Sequence, residues 1–87
     1  MRIAGVIWTD LNEEHIARHG VRREEVEEAM RNDPFVTKNR RGTYRPIRQT
    51  DGGRYLTVIL APRDQGLHYV VTARDADSVE RRSYQRR

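Results

Sequence analysis

Residues 54–60 read Arg-Tyr-Leu-Thr-Val-Ile-Leu, the most apolar stretch of the chain, and the turn signal Asp51-Gly52-Gly53 stands directly before it. β-branched and aromatic residues bounded by turn residues mark a strand, here a central one. Pro62 to Gly66 turns the chain, and residues 67–73, Leu-His-Tyr-Val-Val-Thr-Ala, supply the next strand. Upstream, residues 43–50 are extended, with Pro46 pointing to an edge position because proline has no N–H to give a sheet. Three consecutive strands joined by short turns predict an antiparallel meander. The whole chain of 87 residues then has room for a single domain, residues 1–87.

The first part of the chain follows a different period. Residues 2–8 form a β-type run with Ile3, Val6 and Ile7, which suits a short strand covered on both sides. Asp10 and Glu13 have capping-box spacing, so a helix is expected from Leu11 until Gly20, the residue type that ends helices in the left-handed conformation. In residues 22–32 Val26, Ala29 and Met30 repeat at helical spacing, and Pro34 forbids continuation. Residues 35–37 are a candidate brief strand. Asp77 and Glu80 repeat the capping spacing before a last helix over residues 78–85, and the Arg86-Arg87 tail is expected to fray. The expected order is β-α-α-(β)-β-β-β-α, an α+β domain with helices packed on one face of a small antiparallel sheet.

The absence of cysteine removes disulfides, thiolate nucleophiles and zinc–thiolate sites, and fits a reducing, cytoplasmic compartment. No apolar run approaches the roughly 18–20 residues of a membrane span, and the opening residues do not read as a signal peptide. Charge is unevenly distributed. Residues 1–33 carry 5 arginines and 8 acidic residues, a balance of −3, whereas residues 34–87 carry 12 basic and 5 acidic residues, a balance of +7, summing to the net +4. Lys38 is the lone lysine among 17 basic residues. Codon usage of a GC-rich genome is one reading of the arginines; the planar, always-charged fork that grips phosphate is the other. Codon usage does not account for the split, which is the footprint of a surface for nucleic acid or for an acidic partner.

No phosphate loop, dinucleotide fingerprint or nucleophile elbow is present, and Ser78 and Ser83 lack a His/Asp arrangement in sequence reach. His15 and His19 lie four apart on the first helix, a spacing that places them on one face with Asp10 and Glu14 near; a zinc site usually wants a third ligand and a second shell, and nothing places His68, on a strand, beside them, so no metal or cofactor is expected. The two histidines either cap and pack the helix end or act as proton-transfer groups. Metal-free acid/base chemistry by His, Tyr, Arg and carboxylates is what remains. RNA cleavage suits that set, because the 2′-hydroxyl is a nucleophile built into the substrate. Arginines would stabilise the charge on the phosphate, and histidine is the natural proton carrier near neutrality.

Tyr44, Tyr55, Tyr69 and Tyr84 all lie in the basic part beside arginines, a composition that fits stacking on single-stranded RNA as well as ordinary sheet packing. Alternation puts Arg45 with Ile47 and Gln49 on one face and Tyr44, Pro46 and Arg48 on the other. In the last strand it puts Leu67, Tyr69, Val71 and Ala73 on one face, with His68, Val70, Thr72 and Arg74 opposite. Arg74 ends that strand just before a helix cap, as a functional guanidinium or as the structural partner of Asp75 or Asp77.

Several segments taken together resemble the BrnT-like toxin family of bacterial type II toxin–antitoxin systems. They are residues 15–21 (His-Ile-Ala-Arg-His-Gly-Val), 25–29 (Glu-Val-Glu-Glu-Ala), 41–44 (Arg-Gly-Thr-Tyr) and 49–56 (Gln-Thr-Asp-Gly-Gly-Arg-Tyr-Leu), then 71–75 (Val-Thr-Ala-Arg-Asp) and 80–84 (Glu-Arg-Arg-Ser-Tyr). The resemblance implies a RelE-like fold and a ribonuclease that arrests translation. It also implies a ribbon-helix-helix antitoxin as partner, and contact with operator DNA through that antitoxin alone. By position, Arg74 matches the family's strand-end arginine, Arg54 the arginine after the hairpin turn, Tyr84 with Arg81 the C-terminal helix ending, and His19 the histidine before the Gly-Val turn.

The expected function is therefore a metal-independent endoribonuclease toxin. Arg45, Arg54 and Arg74 would hold the phosphate, His15 or His19 would carry protons with Tyr84 as substitute, and Arg45, Arg48, Tyr55 and Arg81 would bind RNA. The alternative is a non-catalytic basic module that binds nucleic acid or an acidic partner protein.

Overall fold

Thr9, not Asp10, starts the first helix: its hydroxyl accepts from the Asn12 N–H at 3.1 Å. The helix α1 accordingly begins one residue earlier than its charge pattern suggests and spans Asp10–Ala17, with Asp10 and Glu13 in its positive first turn. In the computed structural model, which describes residues 3–33 and 42–86, the chain runs β1 (Gly5–Ile7), α1, α2 (Arg23–Asn32), β2 (Ile47–Gln49), β3 (Tyr55–Pro62), β4 (Leu67–Asp75) and α3 (Ser78–Gln85). The brief strand expected at residues 35–37 and the frayed end at Arg87 lie outside the described residues.

Gly20 closes α1 as expected. Its φ of 72° lets the Val21 N–H turn back onto the Ile16 carbonyl at 3.2 Å, and both Ile16 and Val21 are buried. In α2 the spacing of Val26, Ala29 and Met30 does what it predicts: all three are buried against the sheet. The last helix carries the expected reciprocal cap, with Glu80 N–H donating to Asp77 Oδ1 at 2.8 Å and Asp77 N–H to Glu80 Oε1 at 2.9 Å.

The sheet order is β1-β4-β3-β2, and here the structure corrects the expectation of a wholly antiparallel sheet. The meander β2-β3-β4 is antiparallel, but β1 pairs in parallel with β4, Gly5 opposite Leu67 and Ile7 opposite Tyr69. Two helices intervene after β1, so the chain is free to return along the same direction, as parallel pairing requires. Pro46 sits beside the outer strand β2 opposite Val58: its carbonyl accepts from Val58 N–H at 3.0 Å, and the return bond is the one its missing N–H forgoes.

A register shift in β3–β4 sets which side chains share a face. Ile59 pairs with Thr72 but Leu60 pairs with Val70, so Val71 is an extra residue. Simple alternation across 67–74 therefore fails: His68 and Val70 lie on the same face as Ala73, Val58 and Leu60, while Tyr69 shares the opposite face with Thr72 and Arg74. The first face packs on α1 and α2 through Ile16, Val26, Ala29 and Met30. The second, carrying Ile47, Thr57 and Arg74, is met by Glu80 of α3. Helices thus cover both faces, not one. An α3 docked by a buried carboxylate cannot sit on the apolar side, where nothing would satisfy that charge.

Candidate functional site

At the outer end of β3 and β4, beside α3, the second face brings five of the nine singled-out residues together, Arg45, Arg74, Tyr55, Arg81 and Tyr84, and a sixth, Arg54, lies next to them on the opposite face. Arg74 grips Glu80 as a fork, Nη1 to Oε1 at 2.8 Å and Nη2 to Oε2 at 3.0 Å, and its Nη1 also reaches the Asp75 carbonyl at 3.1 Å. Arg45, reaching in from before β2, hydrogen-bonds the same Glu80 Oε2. The structural partner of Arg74 is therefore Glu80, six residues on, in place of a direct pair with Asp75 or Asp77. Burial pushes the Glu80 carboxyl up, but Arg74, the Asp77 backbone N–H and Arg45 outweigh it and hold it down at about 2. Glu80 is only 7% exposed, and Arg74 stays firmly protonated through its bond to it.

Beside this pair runs an aromatic column. The Tyr84 ring meets Tyr55 edge-on at 5.6 Å, and the Arg81 guanidinium lies 4.8 Å from the centre of the Tyr55 ring. Gln85 Nε2 donates to the Tyr55 hydroxyl at 3.3 Å. Tyr55 presents its ring here because residues 55, 57 and 59 alternate onto the α3 side.

Arg54, on the other face by the same alternation, ties three elements together. Its Nε donates to Asp75 Oδ1 at 2.7 Å and its Nη1 to the Gly20 carbonyl at 2.9 Å and to both Glu25 oxygens at 3.0 Å. Bonding to Arg54 holds the Asp75 carboxyl below its usual range; Glu25 is also lowered, since bonds from the Arg22 backbone and from Arg54 exceed the opposing effect of burial. A groove of about 260 Å³ opens between the two groups, lined by Gly53, Arg54, Tyr55, Asp75, Ala76 and Arg81.

Three residues fall outside this assembly. Arg48 is corrected from RNA-binding candidate to structural residue: it is 2% exposed and spends its donors on the Asp33 carbonyl and the Ile47 carbonyl, both at 2.8 Å. The same alternation that placed it with Tyr44 and Pro46 sends all three inward. His15 and His19 are exposed at the end of α1, edge-on to one another at 5.5 Å. His19 is connected to Arg54 through the backbone of Gly20, the next residue. His68 belongs to the core, with Nδ1 3.0 Å from the Gly66 carbonyl and its ring edge-on to Tyr44 at 5.1 Å. Among the described residues no three His, Asp or Glu side chains converge as metal ligands, and no helix is long and apolar enough to cross a membrane.

Glu80, Glu25 and Asp75 are the members that residue-type reasoning missed. Glu80 was visible as a helix-start carboxylate and Glu25 only as part of the segment 25–29; the structure gives both a capping bond, Glu80 from the Asp77 N–H and Glu25 from the Arg22 N–H. The signal for a second role was the excess of arginine facing an excess of acid across the chain. Part of the −3/+7 split is thereby internal: Glu25 of the acidic part neutralises Arg54 of the basic part.

The arrangement can do two things chemically. It offers guanidinium groups held in place by carboxylates, and it offers stacking surface beside them. Glu80, ionised down to about 2, is an orienting group and not a proton acceptor near neutrality.

No family model and no curated protein matches the sequence. Among solved structures, the chain is similar to the crystal structure of the Brucella abortus ribonuclease toxin BrnT, with a TM-score of 0.62 at 21% identity, over 85% of this chain and 97% of that one. The two share a fold, a mixed sheet with three helices in this chain.

Proposed function

We propose that this chain is the toxin of a type II toxin–antitoxin pair and acts as a metal-independent endoribonuclease that inhibits translation in the cytoplasm. The observation that carries the reading is the cluster at the head of α3, where Arg74 and Arg45 converge beside the Tyr55–Tyr84–Arg81 column. It stands on a fold shared with a ribonuclease toxin.

In the reaction, the 2′-oxygen attacks the adjacent phosphorus and its proton passes to a base. The bond from phosphorus to the 5′-oxygen breaks, and that oxygen takes a proton from an acid. The products are a 2′,3′-cyclic phosphate end and a 5′-hydroxyl end. Arg74 and Arg45 stabilise the charge that builds on the phosphoryl oxygens. Both are pre-oriented by Glu80, so little reorganisation is needed when a phosphate arrives. Arg54 is the third phosphate candidate, and His15, His19 or Tyr84 transfers the protons. The partners are RNA and an antitoxin of ribbon-helix-helix type, through which operator DNA is contacted.

Incubation of the pure protein with single-stranded RNA in EDTA tests the reading. Discrete cleavage lost in Arg74→Ala supports it, and intact RNA at a large excess of protein overturns it.

One observation favours a second reading, a non-catalytic basic module. Arg45, Arg54 and Arg74 each already hold a carboxylate, so a phosphate must share those donors. That reading predicts salt-sensitive RNA or acidic-protein binding with no cleavage.

A further inference from the structure

We infer that the groove between Arg54 and Arg81 is a nucleobase subsite and that Asp75 is its specificity residue, selecting guanine at the bound position of a single-stranded RNA. The inference rests on the ribonuclease reading for its biological setting, but the subsite stands on its own geometry.

The groove, at about 260 Å³, lies just below the range for ligand pockets of drug-sized molecules, roughly 300–1,000 Å³. That is room for one base and not for a large cofactor. One wall is the Tyr55 ring with the Arg81 guanidinium across it, and a guanidinium plane is a stacking surface for a base as an aromatic ring is. Tyr84 meets the Tyr55 ring edge-on at 5.6 Å and so supports the column. Asp75 also lines the groove, with its side chain 66% exposed.

The chemistry of Asp75 decides which base. An ionised carboxylate only accepts hydrogen bonds, with about four lone-pair sites on its two oxygens. Arg54 Nε occupies one site on Oδ1, and with the side chain two-thirds exposed the others are accessible to a ligand. The same bond keeps the group ionised. Guanine alone among the four bases presents two adjacent donors, N1–H and N2–H, on its Watson–Crick edge. Uracil flanks a single N–H with two carbonyls. Adenine and cytosine each place a ring-nitrogen acceptor next to the amino group, and that acceptor faces the carboxylate with like partial charge. Arg54 therefore has a positioning role in the groove: it fixes the carboxylate that reads the base.

The test is fluorescence anisotropy of labelled hexaribonucleotides, all uridine or with one guanosine, adenosine, cytidine or inosine at the third position. The wild-type chain should bind the guanosine strand about tenfold more tightly than the others, a step in keeping with an added charge-assisted pair at an exposed site. Inosine, which lacks the N2 amino group, should fall between. In Asp75→Asn the guanosine-to-uridine ratio should drop to about one, since the amide presents a donor. Asp64→Asn, which changes net charge equally on the exposed 62–66 turn, should keep the ratio. Equal affinities in the wild type, or a preference surviving Asp75→Asn, overturns the subsite. Mapping the 5′ ends of cleaved RNA separates this from the ribonuclease reading. Cleavage with no guanosine bias overturns the subsite alone. A guanosine preference in binding without cleavage upholds the subsite and overturns the enzyme.

Discussion

Arg74 and Glu80 face each other as two parallel hydrogen bonds, Nη1 to Oε1 at 2.8 Å and Nη2 to Oε2 at 3.0 Å, which lock the end of β4 to the first turn of α3. The carboxylate that caps α3 is thus the same group that aims two arginines. Removing Arg74 should therefore have two separable effects. In Arg74→Ala, RNA cleavage should fall by about 10²–10³, the usual loss when one charge-stabilising donor goes. Stability in urea should fall by about 1–2 kcal/mol, less than the ~3–5 kcal/mol of a fully buried pair, because Arg74 is 40% exposed and Arg45 remains to hold Glu80. Arg74→Lys should recover most of the stability and little of the activity, since an ammonium cannot reproduce the fork.

Acid should loosen the same junction. Glu80 titrates at about 2 in the fold against an ordinary 4.5, so the unfolded chain binds the proton more readily. That contribution to stability is fully present above about pH 4.5 and disappears as pH falls toward 2. Glu25 and Asp75, also lowered by Arg54, act in the same direction. Melting temperature measured from pH 5 down to pH 2 should fall steadily. In Glu80→Gln it should start lower and fall less steeply over the same interval.

Gly20 holds φ at 72° and gives its carbonyl to Arg54. Gly20→Ala meets no backbone in close contact, since an added Cβ would lie 4.0 Å from Arg54 Nη2. The cost is conformational: about 1 kcal/mol or somewhat more in a denaturation midpoint, as alanine is forced into the left-handed region.

Tyr55 is the middle of the column, touching both Tyr84 and Arg81. Tyr55→Ala should weaken single-stranded RNA binding by about 1–3 kcal/mol in a direct titration, the scale of one base-stacking contact. Tyr55→Phe should keep nearly all of it, because the hydroxyl's one bond, from Gln85, is long and exposed.

Most of the elements' ends and turns are legible in the chain because their physics is local. The box of Asp77 and Glu80, the stop at Gly20, the buried stripe Val26–Ala29–Met30 and the turn at residues 51–53 all involve residues within five of each other. The cap of α1 slipped by one position because Thr9 and Asp10 are both good caps, and which one bonds depends on how β1 delivers the chain. Arg54, Tyr55, Arg74, Arg81 and Tyr84 were legible as residue types in a basic segment. Arg48 was not separable from them by type, since burial of a guanidinium depends on carbonyls that only the fold assembles around it.

What the sequence determined by itself is the set of elements, their caps and turns, and an arginine-rich second half, because these follow from backbone preferences and composition over short spans. What the tertiary structure alone decided is which groups meet. β1 joins β4 in parallel, and Arg54 finds Glu25 across 29 residues of chain. The extra residue Val71 shifts the register, so that Arg74 shares its face with Tyr55 and not with His68. A bulge is invisible to alternation because its position depends on the partner strand. A carboxylate's partner is likewise invisible to composition, because several cations compete for it until packing places one fork in reach.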